Sequence, residues 1–159
     1  MIVEPNSYAG LANRAAGRFA AKIFVCFPGR DAQAFFPAEK KVLAGPLVRK
    51  GITEGDRDQA RAAFGLEIDR FTLFVMGGSG GAHAINMAMK DAAKELRTVA
   101  NLQILHQTGE KDVEDVKAGY RAARVQAVVL PYIDDMAGAY AAADLVVSRS
   151  GATTVAELA

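Results

Sequence analysis

From Phe71 onward the apolar positions of this chain come as short unbroken runs that alternate with amphipathic stretches. Phe71-Thr72-Leu73-Phe74-Val75-Met76 reads as a strand that runs into Gly77-Gly78-Ser79-Gly80-Gly81, and a helix is predicted from Ala82 to about Leu96. Leu102 to His106 forms the next strand, followed by Gln107-Thr108-Gly109 and a helix over Lys111 to Ala123. Val125 to Leu130 is a third strand, Asp134 caps a short helix through Ala142, Asp144 to Ser148 is a fourth strand, and Ser150-Gly151 opens a last helix. Strands that read as continuous apolar runs, with helices between them, predict an α/β fold with a parallel sheet covered on both faces. A ligand of such a sheet belongs beyond the carboxyl ends of its strands.

Upstream the pattern is looser. Asn6 or Ser7 is placed to cap a helix from Ala9 to Lys22, Ile23 to Phe27 is a short buried strand closed by Pro28-Gly29, and a loop with Phe35-Phe36-Pro37 leads to a strand from Lys41 to Gly45 that ends at Pro46. The segment from Pro28 to Pro46 is the best linker. Asp56 to Phe64 reads as a helix with acidic residues at its positive end and Gly65 as its stop. The last helix has run only one to two turns when the sequence ends at Ala159, and a helix so short is a poor natural terminus, so a fragment of a longer protein is expected.

Composition narrows the function classes. With 51% hydrophobic and 23% charged residues the 159-residue chain is of the globular type and long enough to bury a core. Nineteen basic against eighteen acidic residues leave no clustered positive field for nucleic acid. No run approaches the ~18 apolar residues of a membrane span, and the opening residues lack a basic segment followed by an apolar one, so secretion is not indicated. Cys26 is read as a buried small hydrophobe. Two histidines and one cysteine give no metal-ligand spacing.

The loop of Gly77, Gly78, Ser79, Gly80 and Gly81 is the sharpest chemical signal. Glycines let the backbone approach a ligand, and the following helix start offers unpaired N–H groups, so phosphate is the natural guest. It matches neither standard nucleotide signature: His83 stands where a dinucleotide fingerprint needs its third glycine, and no Gly-Lys-Ser/Thr is present. Gly77-x-Ser79-x-Gly81 also fits a nucleophile elbow, but a hydrolase needs an acid and then a histidine after the serine, and the only aspartate between Ser79 and His106 is Asp91, inside a predicted helix. A second junction of the same kind is Ser150-Gly151-Ala152-Thr153-Thr154-Val155-Ala156-Glu157, where Glu157 suits a pair of vicinal hydroxyls, although Thr154-x-x-Glu157 is equally a capping box. Arg49 is either a phosphate partner or a solvated surface charge, and His106 reads as a structural histidine.

Asn6-Ser7-Tyr8-Ala9-Gly10-Leu11-Ala12-Asn13, Gly45 to Arg49, Gly77 to Gly81, Tyr132-Ile133-Asp134-Asp135-Met136 and Ser148 to Glu157 together resemble, in order and over essentially the whole chain, the MurG family of N-acetylglucosaminyltransferases. Two positions depart from the family pattern: Pro5 replaces a glutamine, and Pro46-Leu47 replaces Asn-Pro. The resemblance implies a Rossmann-like parallel sheet within the two-domain GT-B architecture, here partial. Residues 1–45 would be the end of an N-terminal acceptor domain plus linker, and 46–159 a truncated C-terminal UDP-sugar-binding domain. It implies that Asn6 and Arg49 contact the donor and Ser79 binds the diphosphate. Ile133 would meet the uracil, Ala152, Thr153 and Thr154 would contact the nucleotide at the helix start, and Glu157 would take the ribose hydroxyls. The implied reaction is inverting transfer of GlcNAc from UDP-GlcNAc to the muramyl C4 hydroxyl of lipid I, giving lipid II for peptidoglycan. No cofactor or metal is implied, and UDP-GlcNAc is the donor substrate. Lipid I would be met by an absent N-terminal part, so no catalytic residue is assigned and the piece would be inactive alone. The implied place is the cytoplasm, peripheral at the inner face of the plasma membrane. A sugar-nucleotide epimerase of the same fold and a non-catalytic UDP-sugar-binding module are the alternatives.

Overall fold

The computed structural model describes residues 1–28 and 34–159, so Gly29 and the rest of 29–33 lie outside the described residues. The chain divides into two compact units, one of Met1–Lys50 with Ser150–Ala159 and one of Gly51–Arg149.

The first unit is built on a three-stranded parallel sheet in the order β1 (Ile2–Glu4), β2 (Ile23–Val25), β3 (Lys41–Leu43). Its core is Ile23 and Val25 of β2 with Ala9, Ala20 and Phe36, and Ile2 packs against them. Helix α1 (Leu11–Gly17) is shorter than the predicted Ala9–Lys22, and neither Asn6 nor Ser7 caps it. Gly10 takes the cap position without a side-chain hydrogen bond, because the loop before it is organised from elsewhere. The Glu4 carboxylate, fully buried, accepts from the backbone N–H groups of Asn6 and Gly10 and from the side-chain amides of Asn6 and Asn13, all at 2.9–3.0 Å. Burial works to raise the Glu4 pKa, but these donors outweigh it and hold the carboxyl below its ordinary value. Within the segment read as a linker, β3 pairs in register with β2, Phe24 opposite Val42. The unit also contains the last helix, α7 (Ala152–Leu158).

The second unit is a four-stranded, all-parallel sheet in the order β6 (Ala127–Leu130), β5 (Leu102–Gln107), β4 (Phe71–Met76), β7 (Leu145–Ser148). Alternate residues of β4 explain its unbroken apolar run. Phe74 and Met76 meet Ile133, Met136, Ala139 and Ala142 on one face, while Leu73 and Val75 meet Met89, Ala93, Val116 and Tyr120 on the other. The first face is covered by α2 (Arg57–Phe64) and α6 (Met136–Ala142), the second by α3 (His83–Asp91), α4 (Ala93–Leu96) and α5 (Val113–Ala123). Helix α2 starts and stops as the sequence predicts: Asp56 accepts from the Gln59 N–H at 2.8 Å, and Gly65 closes it at φ 69°. Two details differ from expectation. The helix predicted from Ala82 to Leu96 breaks at Ala92 (ψ −1°), which turns Ala93 into the core and Leu96 against it. Asp135, not Asp134, caps α6, accepting from the Gly138 N–H at 2.8 Å, and the approach needs glycine because a Cβ at 138 would lie 2.2 Å from the Asp135 carboxylate.

Candidate functional site: the glycine loop at the carboxyl end of β4

Strand order 6-5-4-7 reverses direction at β4, since the chain winds outward through β5 and β6 and then returns to the other side of β4. In doubly wound sheets the ligand crevice lies at such a switch point, outside the carboxyl ends. Met76 is in register with both Gln107 of β5 and Ser148 of β7, so three strands end level there. Gly77 to Gly81 leaves from Met76, and its glycines have different reasons to be glycine. A Cβ on Gly77 would come within 2.2 Å of the Ala82 nitrogen, and one on Gly81 (φ 75°) within 1.8 Å of the Thr108 carbonyl oxygen. Those two serve internal packing. Gly78 needs its positive φ of 89°. At Gly80 neither reason applies: its φ is not in the left-handed region and a Cβ would meet nothing within 4 Å. Ser79 and Gly80 are exposed at the tip, and α3, which follows, has no side-chain cap over its first N–H groups. A loop that is packed beneath and bare above could receive a compact anion.

Beneath the loop the carboxyl end of β5 is braced by a buried polar chain. The Asn86 side-chain amide donates to the Thr108 carbonyl at 2.8 Å and to Asp112 at 2.7 Å, both of them acceptors only, and this fixes which way the amide faces. Its oxygen therefore meets His106 Nε2 at 3.1 Å, and Nε2 is the donor. Burial alone lowers the His106 pKa from 6.5 to about 4, so the ring is neutral near pH 7, its Nδ1 is an acceptor, and the Tyr120 hydroxyl donates to it at 2.9 Å. The same burial raises the Tyr120 pKa. Asp112 is held below its ordinary pKa by the Asn86 amide first and by His83, whose Nδ1 lies 3.1 Å from both carboxylate oxygens. Reading His106 as structural is thus correct. Both nitrogens of His106 are engaged in this chain of hydrogen bonds, so it is not the histidine a hydrolase would need beside Ser79. Cys26 is a buried free cysteine, as expected.

The other residues singled out in the sequence are placed as follows. Asn6 is exposed and its side-chain amide is engaged by Glu4. Arg49 Nε lies 3.2 Å from Glu157 Oε1, with the glutamate side chain 2% exposed and the arginine 55%, so the first unit brings these two together. The capping box is absent: Gly151 is the N-cap of α7, no side chain caps it, and Thr154 and Glu157 stand inside the helix. Ala152, Thr153 and Thr154 form its first turn. The Ile133 side chain is buried in the second unit's core beside Met136. Among the described residues no group of three or more His, Cys, Asp or Glu is placed to hold a metal ion, and no helix is long and apolar enough to cross a membrane.

Residues 72–159 match the family described as glycosyltransferase family 28 C-terminal domain, more than half of the chain. The chain belongs to glycosyltransferase family 28. Family 28 relatives include proteins named UDP-N-acetylglucosamine--N-acetylmuramyl-(pentapeptide) pyrophosphoryl-undecaprenol N-acetylglucosamine transferase. Two of these, from Citrifermentans bemidjiense and Thermodesulfovibrio yellowstonii, are 45% and 43% identical over 158 and 159 residues, covering 99% of this chain. The crystal structure of Acinetobacter baumannii MurG matches over 99% of the chain with a TM-score of 0.63 at 33% identity. The parallel α/β fold read from the sequence is thereby shown. The chain spans 42–43% of the length of these relatives. The sequence reading of this family 28 segment missed Glu4, Asn86 and Gln107. The polar pair His106-Gln107 that closes the apolar run of β5 is the one signal that marks such a position in advance.

Proposed function

We propose that this chain is the donor-binding part of an inverting glycosyltransferase that moves GlcNAc from UDP-GlcNAc to the muramyl C4 hydroxyl of lipid I. Residues 1–45 would close an acceptor domain and 46–159 form most of the UDP-sugar domain, working at the inner face of the plasma membrane. The observation that carries this reading is the Gly77–Gly81 loop, with a bare tip at Ser79 and Gly80 beside an uncapped helix start at a topological switch point. Ser79 and the glycine amides would take the diphosphate. Ala152, Thr153 and Thr154 would add backbone and hydroxyl donors. Glu157 would accept from the ribose hydroxyls, Asn6 and Arg49 would contact the donor, and Ile133 would meet the uracil. In the reaction the acceptor oxygen bonds to the anomeric carbon as the bond from that carbon to the diphosphate oxygen breaks. The hydroxyl proton passes to a base on the acceptor side, and UDP departs with the extra charge. N–H groups fixed at the loop and helix start meet that charge without reorganising, an electrostatic contribution of the oxyanion-hole type.

Calorimetric titration of the chain with UDP, paired with a GlcNAc-transfer assay of the complete protein on a lipid I analogue, tests the proposal. Saturable UDP binding weakened by Ser79→Ala, together with transfer, is the expected result. Binding without transfer would leave a nucleotide-binding module, and no UDP binding at millimolar concentration would sink the reading.

A further inference from the structure

Gln107 is the last residue of β5, 3% exposed, and its side-chain amide crosses to the loop after β4, donating from Nε2 to the Gly78 carbonyl at 2.9 Å. Its partner is a carbonyl, an acceptor only, so the nitrogen must be the end that faces it. The Gly78 carbonyl also accepts from the Gly81 N–H at 2.9 Å. Two donors from below and beside therefore fix the direction of one carbonyl. The peptide that follows is planar and trans, so the Ser79 N–H points opposite to the Gly78 carbonyl. That direction is away from the Gln107 amide, and Ser79 itself is exposed at the tip. Left to itself, a loop with glycines on both sides of Ser79 would let this peptide plane rotate at little cost. Gln107 cannot move to follow it, because its backbone is held in the sheet between Met76 and Leu130.

We propose that Gln107 is a positioning residue for the diphosphate: by holding the Gly78 carbonyl inward it aims the Ser79 backbone N–H at a phosphate oxygen. Gln107 touches no ligand in this scheme. The inference rests on the diphosphate reading of the loop, and it adds that preorganisation of one amide, made by a side chain from the neighbouring strand, sets the affinity for the phosphate part of the donor.

The test compares the chain with Gln107→Met, which keeps length and packing but has no donor, and Gln107→Glu, which faces the Gly78 carbonyl with a second acceptor and adds negative charge. UDP and uridine are titrated in parallel, with thermal melts to confirm folding. A charge-assisted hydrogen bond lost from the ligand corresponds to a factor of about 10 or more. Gln107→Met should therefore weaken UDP about tenfold and leave uridine unchanged, with Gln107→Glu weaker still. Unchanged UDP affinity in Gln107→Met, or equal losses for UDP and uridine, would overturn the role given to Gln107. Failure of the unaltered chain to bind UDP would instead remove the diphosphate reading and this inference with it. A second readout does not need the variants: in a nitrogen-15 amide spectrum of the unaltered chain, UDP should shift the Ser79 N–H downfield and uridine should not. An unmoved Ser79 resonance at saturating UDP would overturn the proposal even if the variants do not fold.

Discussion

Arg57 and Arg61 both pair with Asp144, yet replacing them by alanine should have very different consequences. The Arg61 side chain is fully buried, donates from Nε to the Ala142 carbonyl at 3.0 Å and from Nη1 to the Ile68 carbonyl, and meets Asp144 at 2.7 Å. Arg57 meets the other oxygen of the same carboxylate at 2.8 Å but is 53% exposed. Removing one partner of a buried ion pair costs about 3–5 kcal/mol, whereas an exposed pair is worth about 0–1 kcal/mol. Arg61→Ala also strips two carbonyls of a donor, while Asp144 keeps Arg57 and the Thr72 N–H at 2.7 Å, so the middle of the larger range, ~4 kcal/mol, is the expected loss. Against a domain stability of about 5–15 kcal/mol this is a large fraction. Urea unfolding followed by far-ultraviolet circular dichroism reads it as a fall in midpoint. The pH dependence should change as well. Burial works to raise the Asp144 pKa, and the Thr72 N–H, Arg57 and Arg61 together hold it below 3.8. A carboxylate depressed in the folded state contributes stability above its unfolded pKa and loses it as pH falls through the folded one. With Arg61 gone, burial is opposed by fewer partners and the folded pKa rises toward the unfolded one, so the acid-side loss from this group should be smaller and should be complete at a higher pH. Equal losses for Arg57→Ala and Arg61→Ala, or a loss below about 1 kcal/mol for Arg61→Ala, would refute the reasoning.

The loop offers a second contrast: Gly80→Ala should leave stability unchanged within about 0.5 kcal/mol while weakening UDP binding. Gly81→Ala, which combines positive φ with a clash against Thr108, should lower the thermal midpoint, and comparable melts for the two variants would contradict this account. The His106 pKa, moved from 6.5 to about 4, means that between those values the unfolded chain binds a proton the folded one refuses. Stability should fall by roughly 3 kcal/mol as pH drops from 6.5 to 4, a limb that His106→Gln should flatten in urea titrations across that range. Tyr120→Phe, which leaves the His106 Nδ1 acceptor unsatisfied in the core, should cost about 1–3 kcal/mol at pH 7, measured the same way.

Strand β4 was legible in the sequence because both faces of its sheet are buried from Thr72 to Met76, so every one of those positions had to be apolar or, at Thr72, small. The loop after it was legible because glycine is rare enough that four of five positions demand a reason. What the sequence did not distinguish is that Gly77 and Gly81 answer to packing and Gly80 to open space, since that depends on where Thr108 and Ala82 lie. Arg61 was hidden for the same kind of reason. Within Arg57–Phe64 it looks like a surface charge on an amphipathic helix, and its partner Asp144 is 83 positions away. Thr154-x-x-Glu157 misled in the opposite direction, because a local pairing satisfied the pattern while the structure spends Glu157 on Arg49. Local rules locate elements and glycine loops. Buried polar groups take distant partners, and no period or cap announces them.

The polar chain under the loop has a consequence for how binding and stability can be separated. Tyr120, His106 and Asn86 lie inside the second unit with no exposed surface worth the name, and through the Thr108 carbonyl they fix the backbone against which Gly81 rests. Gln107 fixes the same loop from its other end at Gly78. A substitution in the chain should therefore alter folding first and the loop as a result, whereas one at Ser79 or Gly80 alters only what the loop can hold. Donors aimed before the ligand arrives cost nothing to orient when it does. The rigidity is thus supplied by β5, which lends the loop its geometry, and under the proposed function recognition would fall to the two exposed residues at its tip, a division that would let the tip stay small enough for a diphosphate to reach the backbone.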